Sequence, residues 1–283
     1  MYNQVKSPNF AKENQDKIIM RNPILYLIII GVCILSSCNM QQRGSGALPK
    51  ELVQAENIMY ENPDSALQIL QAMPIPSEKE EHATWALLLT QAKYKCFVDQ
   101  SDSLVNIAHD YFMKKNNVKR KALTLYLKGA LFYEMNKLDK ALSYYLKAEK
   151  ICVLSDDNRL AYLISSHISR MYAERGLYDY SFIHAEKSKE YAILAKDSLY
   201  LMDSYMALAR TQTVQKRYQT AIDYYDKAID IGIKYRNKKK VTSALLEKIE
   251  VLIKIDQYTE ALNTTQKLNK SYINTSGYFV MGH

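Results

Sequence analysis

Four small residues, Ala141, Ser181, Ala221 and Ala261, stand 40 residues apart, and three positions before each sits a large apolar side chain, Leu138, Tyr178, Tyr218 and Tyr258. A register kept through four copies marks a repeat architecture, in which no unit buries its apolar face alone and each is completed by its neighbour. The units are helical. All 6 prolines lie at or before Pro76, leaving Ser77 to His283 without one. A proline inside a helix costs ~3 kcal/mol, so a proline-free run of that length favours helices over loop-rich β structure. Hydrophobic residues at 48% and charged ones at 24% give an ordinary globular balance, which excludes a disordered chain.

Each unit reads as two amphipathic helices joined by a short polar turn. In the clearest copy Gly129, Phe132, Ala141, Tyr145 and Ala148 alternate small and bulky at helical spacing. The small positions let helices approach closely and the aromatic ones fill the space beside them. The third copy matches through Leu208, Ala209, Tyr218, Ala221, Tyr225 and Ala228, and the second, more loosely, through Ser169, Tyr172, Tyr178, Ser181 and Ser188. The fourth keeps Tyr258 and Ala261 but has Thr265 and Leu268 where an aromatic and an alanine are expected. Gly176 suits a helix-ending or turn position. These residues resemble the tetratricopeptide repeat (TPR) pattern. That resemblance implies an all-α, right-handed superhelical solenoid of helical hairpins. The period of 40 exceeds the ~34 of the standard repeat and implies longer helices or turns. Upstream, Glu51–Met73 reads as a degenerate first hairpin turning at Asn62–Ala66, and Glu80–Phe112 as a second turning at Val98–Asp102. The solenoid is expected to span residues 50–270 in about six hairpins, with a tail over 271–283.

The first forty residues carry an address. Ile24 to Leu35 is nearly unbroken apolar sequence, too short to span a ~30 Å hydrocarbon core and of the length of a signal-peptide core. Directly after it, Leu35-Ser36-Ser37-Cys38 resembles the lipobox of bacterial lipoproteins. The resemblance implies that residues 1–38 are a signal peptide ending in lipidated Cys38, a membrane anchor. Met20-Arg21-Asn22-Pro23 forms a compact positive region before the apolar core, so translation is expected to begin at Met20. Residues 39–49, with Gly44-Ser45-Gly46, read as a flexible tether. No acidic cluster follows the cysteine, which favours a periplasm-facing protein of the cell envelope over a surface-exposed one.

Chemistry does not assemble. None of the histidines stands in a His-x-x-x-His pair or near a cysteine at metal spacing, and Gly129, Gly176 and Gly232 stand alone rather than in a phosphate loop. The expectation is therefore no enzyme, no catalytic residue, no metal and no cofactor. The net charge of +8 is interleaved with acids, so no nucleic-acid partner is expected. The one dense basic run, Asn237-Lys238-Lys239-Lys240, reads as a solvated turn between helices. Cys96 and Cys152 read as buried small hydrophobes, with a disulfide as the alternative. The 23 tyrosines read mostly as repeat packing.

On the TPR register, inward positions of the first helices include Tyr126, Tyr133, Arg170, Glu174, Arg210, Thr213 and Glu250. Arg170 and Arg210 are one period apart, and two guanidinium groups along a groove suit a peptide carboxylate or acidic side chains. The alternative is that they pair with Glu174 or other local acids. Lipobox and repeats together resemble the TPR lipoproteins of Bacteroidota. Two functions follow from the resemblance. One is a lipid-anchored scaffold binding a protein or peptide of the envelope through its concave groove. The other is the sensor half of a longer regulator, truncated before its transmembrane and helix-turn-helix parts.

Overall fold

In the computed structural model residues 48–266 are described, and from Lys50 onward they belong to one compact unit. Twelve helices follow one another among these residues, with no strand. Helices α1 (Lys50–Ile58) and α2 (Pro63–Ala72) make the first hairpin, α3 (Lys79–Lys95) and α4 (Ser103–Phe112) the second. The next three pair α5 (Val118–Glu134) with α6 (Leu138–Cys152), α7 (Asn158–Glu174) with α8 (Tyr178–Leu194), and α9 (Ser198–Val214) with α10 (Tyr218–Lys234). The last joins α11 (Lys238–Lys254) to α12, over residues 258–266. The chain is an all-α array of helical hairpins. The expected lipobox (Leu35, Ser36, Ser37, Cys38), the Met20 start, the tether up to residue 47 and the tail over 271–283 lie outside the described residues.

The repeat is written in the backbone as well as in the side chains. Helices α7 to α11 each run 17 residues, so long helices joined by short turns account for the long period. Asn117, Asp157, Asp197 and Asn237, themselves 40 apart, cap α5, α7, α9 and α11, each side-chain Oδ1 accepting a backbone N–H at 3.0 to 3.2 Å. Such a cap satisfies an otherwise orphan donor and contributes about 1 kcal/mol. At the far end of the same helices Asn136, Gly176, Lys216 and Asp256 take φ of 56°, 72°, 59° and 59°. This left-handed residue turns the next N–H back onto the helix: Lys137 N donates to Phe132 O at 2.8 Å, and Leu177 N to Tyr172 O at 2.9 Å. Gly176 is the one copy that adopts it without the Cβ penalty of about 1 kcal/mol.

The small positions of the register are interior. Ala141 and Ala221 are fully buried, Ser181 is 1% exposed and Ala261 is 6% exposed. A Cβ on Gly129 would sit 2.7 Å from the ring of Tyr145, so only glycine lets α5 and α6 close over that tyrosine. Leu138, Tyr178 and Tyr218 are half-buried, whereas Tyr258 is 61% exposed. Its expected packing role is corrected for the described residues: its hydroxyl donates to Asp256 Oδ1 at 2.6 Å instead. The tyrosines divide likewise, Tyr126, Tyr145, Tyr162 and Tyr225 being buried and Tyr180 and Tyr235 exposed. Cys152 is buried and Cys96 half-buried, both as free thiols.

The apolar core comes in two clusters, one reaching from Ala83 to Met171 and the other from Met202 to Ala261. Between them, where α7 and α8 meet α9, runs a seam of hydroxyls. Ser169 Oγ donates to Ser181 O at 2.8 Å, Ser181 and Thr211 approach to 3.4 Å, and Ser188 and Ser204 share a bond of 3.0 Å. Each of these five hydroxyls has a hydrogen-bond partner, as buried polar groups require.

Candidate functional site

Above this seam, between α7, α9 and the first turn of α11, the surface opens into a cleft of about 890 Å³. Its origin is visible by stepping 40 residues along the chain. In the α5–α6 unit, Tyr126 and Tyr145 pack against each other at 5.8 Å between ring centroids, with Tyr133 at the end of the same helix face. The equivalent positions one unit later are Ser166, Ala185 and Ala173. Three rings have become small side chains, and Ser166 and Ala173 line the opening left behind.

The walls are charged. Arg170 on α7, Arg210 on α9, and Lys239 and Lys240 on α11 stand with Glu174 and Asp203 around the cleft. Arg210 is engaged by a forked pair, Nε to Glu247 Oε2 at 2.7 Å and Nη2 to Glu247 Oε1 at 2.6 Å. That bond holds the guanidinium above its ordinary pKa. Burial works to raise the Glu247 carboxyl, and the bonds from Arg210 and Tyr225 overcome it and hold the group low. Lys240 pairs with Asp203. Arg170 differs. Its guanidinium lies 5.6 Å from the ring centroid of Tyr133, and among the described residues no carboxylate stands within ion-pair distance of it or of Lys239. Glu174 accepts from the Tyr133 hydroxyl at 2.7 Å, and that bond raises the Tyr133 pKa.

Of the inward positions expected from the register, Arg170, Glu174 and Arg210 line the cleft, and Tyr133 reaches it through Glu174. The two open readings of the arginines divide between them. Arg210 is paired locally, by Glu247 rather than Glu174, and Arg170 is not. Tyr126 is corrected from groove to core. It is 2% exposed because Tyr94, Tyr145 and His167 surround its ring at 6.2, 5.8 and 5.4 Å. Thr213 is half-buried with its hydroxyl donating to Ala209 O at 2.9 Å, and Glu250 is exposed outside the cleft. The run Asn237–Lys240 is solvent-exposed at Lys238 and Lys239 as expected, but it opens a helix rather than forming the turn. Asn237 caps α11, and the lysines form its first turn. Ser166, Asp203, Lys239 and Lys240 were not among the expected groove residues; a 40-residue step back to Tyr126 is the signal that finds Ser166, and the cation register shared with Lys119 and Arg120 the one that finds Lys239 and Lys240.

Beside the cleft His167 is almost wholly buried. Its Nδ1 lies 2.7 Å from Leu163 O and its Nε2 3.2 Å from the Tyr94 hydroxyl, so a proton on Nδ1 donates to the carbonyl and Nε2 accepts from tyrosine. Burial, then the charge of Arg170, pushes its pKa down to about 4. Among the described residues no group of three or more His, Cys, Asp or Glu side chains is placed to hold a metal ion, and no helix is long and apolar enough to cross a membrane.

No protein-family model matches the sequence, and a search of the curated proteins finds no match. Solved structures do match. The chain is similar to a signal-transduction ATPase with a tetratricopeptide repeat sensor from Pyrococcus horikoshii, at 17% identity and a TM-score of 0.65, over 78% of this chain and 35% of that one. It therefore spans about a third of that protein's length. RapI in its apo form is similar at 16% identity and a TM-score of 0.60, over 69% of this chain and 72% of that one. A Podosopora anserina putative kinesin light chain with nearly identical TPR-like repeats is similar at 11% identity and a TM-score of 0.52, over 80% of this chain and 94% of that one. These likenesses establish the fold: a TPR-like helical-repeat solenoid.

Proposed function

We propose that the chain is a binding module without catalysis of its own, which holds a protein or peptide in the cleft between α7, α9 and α11. One observation carries this reading. Ser166 and Ala173 stand where the preceding unit carries Tyr126 and Tyr133, and they line a cleft of about 890 Å³ beside an arginine with no carboxylate partner among the described residues. Repeat arrays present ligands on faces built from successive units, and a concave site with few, placed polar groups is the common form of a binding pocket. We further propose that Cys38 carries a lipid that tethers the module to a membrane of the cell envelope, facing the periplasm, in the manner of the Bacteroidota lipoproteins that the sequence resembles.

The test places in this unit the rings of the one before it. Ser166→Tyr with Ala173→Tyr returns the side chains of positions 126 and 133 and fills the cleft from surface-accessible, half-buried sites. The doubly substituted protein is expected to melt within a few degrees of the parent and to lose capture of its envelope partner in a pull-down. Undiminished capture refutes the cleft as the site. Cys38→Ala is expected to move the protein from the membrane to the soluble fraction; an unchanged distribution removes the anchor.

A further inference from the structure

The first turns of the leading helix in several units carry cations at matching places. Lys119, Arg159 and Lys239 share one register position, and Arg120 and Lys240 share the next. On α5 and α7 these cations are occupied by the chain itself. Arg120 Nη2 donates to Glu56 Oε2 at 2.6 Å, and Lys119 Nζ stands 3.7 Å from the other oxygen of the same carboxylate. Arg159 Nη1 donates to Glu61 Oε1 at 2.6 Å. Tyr60 lies between two cations, with the Arg159 guanidinium 5.2 Å and Lys95 Nζ 4.6 Å from its ring centroid. Burial, then the nearby Asp157 charge, raises the pKa of this phenol, so it stays neutral. One short segment, from the end of α1 into the turn after it, thus offers an acid, a ring and a second acid to two successive units.

On α11 the same register places Lys239 and Lys240 in the wall of the cleft. Among the described residues no acidic segment of the chain reaches them. Lys240 is held by Asp203, while Lys239 and Arg170 have no carboxylate within ion-pair distance. Charge-assisted bonds to carboxylates are roughly twice as strong as neutral ones, and guanidinium and ammonium groups favour an aromatic face within ~6 Å. Three like charges in the first turn of α11 also oppose the positive end of its helix dipole, an arrangement that an incoming anion relieves.

Resting on the binding role given above, we propose that the cleft takes an acidic segment of a partner protein carrying an aromatic side chain beside the acid. This is the chemistry with which Glu56, Tyr60 and Glu61 already fill the equivalent places on α5 and α7. Arg170 and Lys239 receive the carboxylates, and the half-buried Ser166 hydroxyl, which donates to Leu163 O at 3.0 Å, accepts from a backbone N–H of the segment.

A phage-displayed library of random dodecapeptides, panned on the full-length chain in detergent, tests this. The best binders are then titrated by fluorescence anisotropy against Arg170→Gln, Lys239→Gln, the cleft-filled double variant and, as a control outside the cleft, Arg217→Gln. The expected result is enrichment of Asp or Glu beside Tyr, Phe or Trp. Binding should weaken at least tenfold in Arg170→Gln and in Lys239→Gln and stay unchanged in Arg217→Gln. Peptides without acidic enrichment, or insensitive to both charge removals yet lost on cleft filling, overturn the acidic partner and leave the binding role standing. No enrichment at all, or binders indifferent to cleft filling, overturns both.

Discussion

Lowering the pH from 7 to 4 singles out one buried base, His167. In the folded chain its pKa is about 4, because burial and the charge of Arg170 both disfavour the imidazolium. Around it stand the rings of Tyr94, Tyr126 and Tyr145, and the ring nitrogens are taken by Leu163 O and the Tyr94 hydroxyl. In the unfolded chain the same group titrates near its ordinary value of 6.5. Between these two values the unfolded state binds more protons, so stability is lost as pH falls through 6.5 and the loss is complete below about 4. The gap corresponds to about 3 kcal/mol at pH 4, at ~1.4 kcal/mol per unit. The assay is urea unfolding at pH 7, 6, 5 and 4 for the parent and His167→Gln. Carboxylates elsewhere titrate in both proteins and cancel in the comparison. His167→Gln is expected to lose about 3 kcal/mol less than the parent across that range. Parallel pH curves would refute a neutral, buried His167.

Three further substitutions test the repeat itself. Gly129→Ala pushes a methyl to 2.7 Å from the Tyr145 ring, which is fully buried and has no room to withdraw, and is expected to cost about 1–3 kcal/mol in chemical denaturation. Asp197→Ala removes a cap that receives two backbone N–H groups at 3.0 Å; a loss of about 1 kcal/mol is expected, with faster amide exchange in the first turn of α9. Ala221→Asp buries a charge in the second apolar cluster with no partner, and should cost several kcal/mol, of order 3 or more; an unchanged melting temperature would mean the register is misplaced.

Much of the architecture was legible because the repeat imposes the same steric demand every 40 residues. Ala141, Ser181 and Ala221 must be small wherever two helices touch, and Asn62-Pro63 announces a cap and a first turn by local chemistry alone. The cleft was only half legible. Arg170 and Arg210 were found because they repeat, whereas Ser166 matters through the ring that Tyr126 supplies one unit earlier, and Lys239 through the acid partners that Lys119 and Arg159 have. Tyr126 misled for a related reason. Whether an inner-face position is open or covered depends on the rings contributed by α3, α6 and α7, and helical periodicity within α5 carries no trace of Tyr94, Tyr145 or His167.

The central claim is that the cleft between α7, α9 and α11 is where this chain meets its partner. The most direct measurement places a photo-crosslinking amino acid at Ala207, on the cleft lining, and separately at Glu190, exposed on α8, in intact cells of the native organism. The account predicts a discrete adduct from position 207, absent from position 190 and abolished by Ser166→Tyr with Ala173→Tyr. Equal adducts from both positions, or an adduct from position 190 alone, would contradict it.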